Sequence, residues 1–248
     1  MIPPEPQILL FAGIALVAAY VQTVSGFALG LIVMGAVGAF HLAPIAFAAL
    51  VVSIMSLANV LSALWGRWRD VDRPTLAVAA AAMVPAVLGG LALLEWLQSA
   101  WLEGLRGLLG GFILAAGLLL MLRPHPRPAP SPLWKAGFWG VVAGLFGGLF
   151  SAAGPPIVFH LYREPIGIPA IRATLLAFFA VATLVRITAT GMAGAIDGAV
   201  LAWVAAGLPA VLLGTWMGRR FPPHLPDLAM RRVAFVLLAG LGLALLVS

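Results

Sequence analysis

Two stretches of this sequence set hydrogen-bonding and helix-breaking residues inside otherwise apolar runs. One is Gln22-Thr23-Val24-Ser25-Gly26. The other runs from Gly147-Gly148 to Ser151-Ala152-Ala153-Gly154-Pro155. Neither contains an acid or a base, so the chemistry on offer is that of a helix start. Ser is a good N-cap, and Pro is tolerated in a first turn, where its missing N–H costs nothing. A helix beginning in mid-membrane points its free N–H groups and positive dipole end at whatever lies before it. Two such ends facing each other would hold an anion without a buried full charge. Glycines there let the backbone approach a small ligand. On this reading Gln22, Thr23, Ser25 and Gly26 act from one break. Ser151 and the amides of Ala152, Ala153 and Gly154, with Pro155 in the first turn, act from the other. The competing reading, that Gly147 and Gly148 only allow close helix packing, does not explain a break in both halves of the chain.

Arg186 and Asn59 also fall within apolar runs. Arg186 lies near the end of the run 168–190. It reads either as a side chain snorkelling to the interface or as an anion's counter-charge. Asn59, in the run 44–64, reads as polar glue between helices or as a substrate contact. All eight acidic residues fall in loops or at span ends. A mid-membrane carboxylate relay and a site for a cationic substrate are therefore not expected. His41 and His160 sit at the ends of the interrupted runs and read as interface residues, and His125 and His224 as solvated loop residues. The chain has no cysteine, no HExxH and no Cys/His cluster. No metal, cofactor or enzymatic activity is expected.

The elements that must position these residues are membrane helices. The chain has 248 residues, of which 63% are hydrophobic and 9% charged, and its mean hydropathy is +1.11. Those values describe an all-α polytopic membrane protein with almost no soluble part. The net charge of +6 would suggest nucleic acid in a soluble protein. Here the basic residues sit in short loops between apolar runs, as topology determinants do. The N-terminus has no basic residue before its apolar run and does not read as a cleavable signal.

The apolar runs are 8–40, 44–64, 75–94, 104–122, 134–161, 168–190, 198–217 and 231–247. A Pro-rich segment, 123–133, divides a repeat at 1–122 from one at 134–248. VPAVLGG at 84–90 resembles LPAVLLG at 208–214, and Pro44 and Pro169 each open a run. If 134–161 enters and leaves on one side, and 8–40 does so too or forms two short crossings, the basic loops share one face. That face carries Arg67, Arg69, Arg73, Arg123, Arg127, Lys135, Arg163, Arg172, Arg219, Arg220, Arg231 and Arg232. The positive-inside rule makes it cytoplasmic and both termini external. Each half then crosses an odd number of times, so the halves are inverted. The expected fold is two inverted repeats, each a broken or re-entrant helical hairpin plus three transmembrane helices.

GLFGGLFSAAGPPIVFHLY (144–162), IRATLLAF (171–178) and SGFALGLIVMG (25–35) resemble the sulfite exporter TauE/SafE family of membrane permeases. SGFALGLIVMG departs from the family's glycine-richer form at Phe27 and Leu29. The resemblance implies a secondary transporter of the cytoplasmic membrane carrying sulfite or an organosulfonate. Its implied partners are the small anion, membrane lipids and a coupling ion, H⁺ or Na⁺. An anion channel of the same architecture, or a carrier for another small organic anion, is the alternative. The oligomeric state, the substrate and the direction of transport stay open at this point.

Overall fold

The computed structural model describes residues 5–121, 127–221, 236, 238–244 and 246. Every regular element among them is helical: α1 Glu5–Ser25, α2 Leu29–Ala39, α3 Ile45–Leu64, a 3₁₀ turn at Trp68–Asp70, α4 Arg73–Ala100, α5 Leu102–Met121, α6 Leu133–Phe150, α7 Gly154–Leu161, α8 Ile168–Met192 and α9 Gly198–Arg220. Residues 238–244 are also helical. Six stretches are long and apolar enough to cross a membrane: Gln7–Ser25, Ile45–Leu64, Arg73–Ala100, Leu133–Phe150, Ile168–Met192 and Gly198–Arg220. Residue 122, residues 123–126 of the Pro-rich segment and, in the predicted run 231–247, residues 231–235, 237, 245 and 247 lie outside the described residues. So do Arg123, His125, His224, Arg231 and Arg232.

Both helix breaks occur where Gly, Ser and Pro interrupt the apolar sequence. The first falls between α1 and α2, at Gly26–Ala28, and the second between α6 and α7, at Ser151–Ala153. The second pair is a hairpin that returns to its starting end. The rings of Trp139 on α6 and Phe159 on α7 meet edge to face at 5.5 Å. Ahead of α6, Arg127 N donates to Arg163 O at 2.8 Å, and Arg127 Nη1 donates to Glu164 Oε1 at 3.0 Å. Ser131 N donates to Glu164 Oε2 at 2.9 Å. The arms of this re-entrant hairpin are unequal. At 1.5 Å per residue α6 is about 27 Å long, enough for a full crossing, and α7 only about 12 Å. Likewise α1 has 21 residues and α2 has 11.

The halves interlock. The most extensive pairings are α4 with α6 and α1 with α9, and each joins a helix of one half to a helix of the other. Exchanging the halves turns one pairing into the other. It also turns α3·α9 into α4·α8 and leaves the central α3·α8 pair in place. Glycines make the α4·α6 contact possible. Gly140, Gly144 and Gly148 recur every four residues on α6 and lie on one stripe. A Cβ at Gly148 would stand 2.3 Å from Val87 O, and one at Gly140 would stand 2.3 Å from Ala79 O. In lipid, where helix association depends on close van der Waals contact, such a stripe draws the backbones together. Gly148 is thus a packing glycine, as the competing reading proposed.

Several basic segments share one end of the bundle. Arg219 Nη1 donates to Ser62 O, where α9 and α3 both finish. Asp72 N donates to Thr174 Oγ1 at 2.9 Å, joining the loop after α3 to the start of α8. Tyr20 Oη donates to Phe221 O at 3.1 Å.

Candidate functional site

The two breaks meet. A Cβ added at Gly30, in the first turn of α2, would stand 2.2 Å from Ser151 O. Only glycine allows the two tips to approach this closely. Between them lies a small cavity lined by Gln22, Ala28, Gly30, Leu31 and Ser56 on one side. The other side holds Gly147, Ser151, Ala152, Ala153, Gly154, Phe179, Ala182, Thr183 and Arg186. Every lining residue except Ser151 is buried. The cavity has a volume of about 30 Å³, room for about two waters.

Six of the eleven predicted site residues line this space: Gln22, Ser151, Ala152, Ala153, Gly154 and Arg186. The others do not. Thr23 Oγ1 donates to Ala19 O at 2.7 Å, and its Cβ faces Gly218 of α9. Ser25 Oγ is taken up by Val21 O and Phe27 O, both at 2.7 Å. Gly26 packs against Arg172 and Leu175. Pro155 is buried beside the cavity without lining it. Asn59 stands one layer back, where its Oδ1 accepts from Gln22 Nε2 at 2.8 Å.

The capping expected of the two serines is corrected. α2 begins after Ala28, and its first amide, Leu29 N, donates to Gln22 Oε1 at 2.9 Å. Gln22 reaches across the break to do what Ser25 was assigned. Ser151 is the C-cap of α6, in the left-handed region at φ 54°, and does not cap α7. Its Oγ lies 2.8 Å from Ser53 Oγ. Ser53 spends its one hydrogen on Ala49 O at 2.7 Å, so Ser151 is the donor in that bond. Left-handed backbone also occurs at Ala28, at φ 104°. Each non-glycine residue held there costs about 1–2 kcal/mol, so both breaks carry strain at the point where the tips touch.

Arg186 is not snorkelling. It is 2% exposed and is the largest of the fully buried side chains among the described residues. Its Nη1 donates to Gly147 O at 3.0 Å and also to Gly148 O, among the last carbonyls of α6. Those carbonyls carry the helix's negative end, and the guanidinium satisfies them. Arg186 Nε is buried without a hydrogen-bond partner. Asn59 holds the corresponding post in the other half. From α3 its Nδ2 donates to Ala19 O at 3.4 Å and Thr23 Oγ1 at 3.1 Å, near the end of α1. Each half therefore uses a polar side chain of its third helix to fix the end of its first. One is neutral and the other cationic.

The donors left over face the cavity. The first turn of α2 leaves the amides of Gly30 and Leu31 without intrahelical acceptors. The prolines at 155 and 156 remove two donors from the first turn of α7 and leave Gly154 N–H. Ser56 Oγ accepts weakly from Gln22 Nε2 at 3.5 Å. The arrangement is a buried pocket with surplus donors, one fixed cation and no carboxylate among the described residues of its lining. Sequence reading missed Ser56, Thr183, Ala28, Gly30 and Phe179. A Ser or Thr inside an apolar helix carries no positional signal, because its usual partner is its own backbone four residues back. Thr183 makes that bond too, to Phe179 O at 2.7 Å.

Residues 11–245 match the sulfite exporter TauE/SafE family. The chain belongs to that family. It is 40% identical over 240 residues to a probable sulfite/organosulfonate exporter, TauE, of Cupriavidus necator, covering 97% of this chain and 92% of that one. It is 30% identical over 181 residues to a probable inner membrane transporter protein, TsaS, of Comamonas testosteroni, covering 72% of each. No solved structure matches. As a TauE/SafE family member the chain is a multi-pass membrane transporter and not an enzyme.

Proposed function

We propose that this protein is a secondary carrier for a small sulfur-containing anion, sulfite or an organosulfonate. The anion binds between the hairpin tips. The observation that carries the reading is the composition of the buried cavity: Arg186 with an unpartnered Nε, first-turn amides from two facing helices, and no acid among the described residues of its lining. An anion entering it replaces its hydration by fixed donors, and a cation finds no partner. The name of the Cupriavidus necator relative supports the choice of sulfite or an organosulfonate as substrate class.

The burial of every lining residue but Ser151 favours a carrier over a channel, because a conducting pore needs a continuous open path. The reciprocal pairings α1·α9 and α4·α6 support an inverted repeat whose halves rock about the central α3·α8 pair, exposing the cavity to each side in turn. The basic loops face the cytoplasm on this reading, following the positive-inside rule. Reconstituted protein tests the function. Sulfoacetate uptake into liposomes should saturate and show counterflow. Large single-channel currents, or flux of cations alone, would contradict it.

A further inference from the structure

A second pocket opens at the basic end of the bundle between α3 and α9. It measures about 430 Å³ and is lined by Ser62, Leu212, Thr215, Trp216, Arg219 and Arg220. Arg219 and Arg220 line it, and no acid is among the described residues of its lining. Arg219 is held across the α3–α9 groove by its bond to Ser62 O.

This pocket is joined to the cavity between the tips by one unbroken line of side-chain hydrogen bonds. Thr215 belongs to the lining, and its Oγ1 accepts from Asn59 Nδ2 at 2.6 Å. Asn59 Oδ1 accepts from Gln22 Nε2 at 2.8 Å, and Gln22 lines the central cavity. Gln22, Asn59 and Thr215 are 3%, 0% and 2% exposed.

The seam is also short of hydrogens. The two hydrogens of the Asn59 amide face three acceptors: Ala19 O, Thr23 Oγ1 and Thr215 Oγ1. Both hydroxyls spend their own hydrogens on backbone, Thr23 on Ala19 O and Thr215 on Val211 O. All the bonds cannot be made together, so the seam can exchange partners at low cost. Asn59 and Thr215 each lie five residues before the end of their helix, about 7.5 Å in from the basic end. In this line Asn59 alone stands between Gln22, which lines the central cavity, and Thr215, which lines the outer pocket.

We infer that the α3–α9 pocket is an oxyanion vestibule serving the basic side of the membrane, and that the Gln22–Asn59–Thr215 seam is the gate between it and the central cavity. Arg219 and Arg220 gather the anion. Exchange of the Asn59 amide between its acceptors opens the way inward. The inference rests on the carrier reading above. The same oxyanion chemistry would suit a lipid phosphate, and continuity with the central cavity is what favours a soluble anion.

The chain lacks cysteine, so single-cysteine variants of the full-length protein report without background. Thr215→Cys is labelled in a non-ionic detergent with 2-sulfonatoethyl methanethiosulfonate and with its trimethylammonioethyl counterpart. The vestibule predicts labelling at least about tenfold faster by the anionic reagent, the lower range of electrostatic focusing in a charged cleft. Adding Arg219→Gln and Arg220→Gln should bring the ratio close to one. Equal rates with the two reagents, or a ratio indifferent to both arginines, would overturn the inference. So would protection of the Thr215→Cys thiol by phosphatidylglycerol in mixed vesicles but not by sulfoacetate, which would make the pocket a headgroup site.

Ser56→Cys serves as the inner probe, since Ser56 lines the cavity without sitting in the seam. Sulfoacetate should slow its labelling several-fold. If the Thr215→Cys variant is charge-selective but the Ser56→Cys variant is not protected, the central-site reading fails and the vestibule stands. If uptake saturates but the thiol at position 215 is blind to charge, only the vestibule falls.

Discussion

Replacing Arg186 by Met tests whether a single buried cation holds the substrate. The guanidinium lies in the cavity wall, so an anion in contact with it would sit about 4 Å away. At an effective dielectric of about 20, unit charges at that distance attract by about 4 kcal/mol. The carbonyls of Gly147 and Gly148 oppose this, because they are the negative end of α6, equivalent to about half an elementary charge. The net attraction is then about 2 kcal/mol, or about 30-fold in affinity. Titration calorimetry of sulfoacetate into purified Arg186→Met should show a loss of that size. Arg186→Lys keeps the charge, gives up the fork, and should recover part of the loss. The deficit should change little with added salt, because buried charges are poorly screened. A deficit from Arg219 and Arg220 should shrink as salt rises. Sulfoacetate affinity in folded Arg186→Met within about threefold of the parent would refute the electrostatic reasoning.

Two other changes probe the supports of the site. Ala28→Gly relieves left-handed strain of about 1–2 kcal/mol but enlarges the unfolded ensemble by up to about 1 kcal/mol. Its thermal midpoint should rise by a few degrees, and a fall would show that Ala28 is not strained. Glu164, which ties the base of the second hairpin together, responds to pH. Burial works against its ionisation, but the bonds from Ser131 and the neighbouring His160 and Arg127 outweigh it and hold the carboxyl below its usual range. A lowered folded value stabilises above the ordinary carboxylate pKa, and the contribution is lost as pH falls through the folded value. Glu164→Gln should therefore lower the thermal midpoint at neutral pH, and the gap from the parent should close under strong acid. A gap that widens in acid would reverse the sign of the coupling.

The breaks were legible in the sequence because Gly, Ser and Pro are unusual inside membrane helices and because both halves carry them. The unequal arms were less so, since an apolar run shows its length only when its break is placed, and Ser151 ends α6 instead of starting α7. Which group caps α2 was hidden for a different reason. Gln22 reaches Leu29 over seven residues through a turn whose shape depends on the left-handed Ala28, and no local pattern encodes that. The two readings of Arg186 could not be separated by counting residues from a helix end. At 25 residues, α8 exceeds the membrane thickness at any small tilt. What settles its depth is tertiary: the carbonyls at the end of α6 lie beside it. The glycines carried two meanings that sequence merges. Gly148 serves the α4 contact, and Gly30 serves the meeting of the tips.

The central claim is that an oxyanion sits between the two tips. Selenite has the shape and charge of sulfite and a strong anomalous scatterer, so crystals grown with it test the claim directly. One selenium peak is expected within hydrogen-bonding reach of Arg186, Ser56 and the first-turn amides of α2 and α7. A cavity without selenium, in crystals that bind it elsewhere, would contradict it.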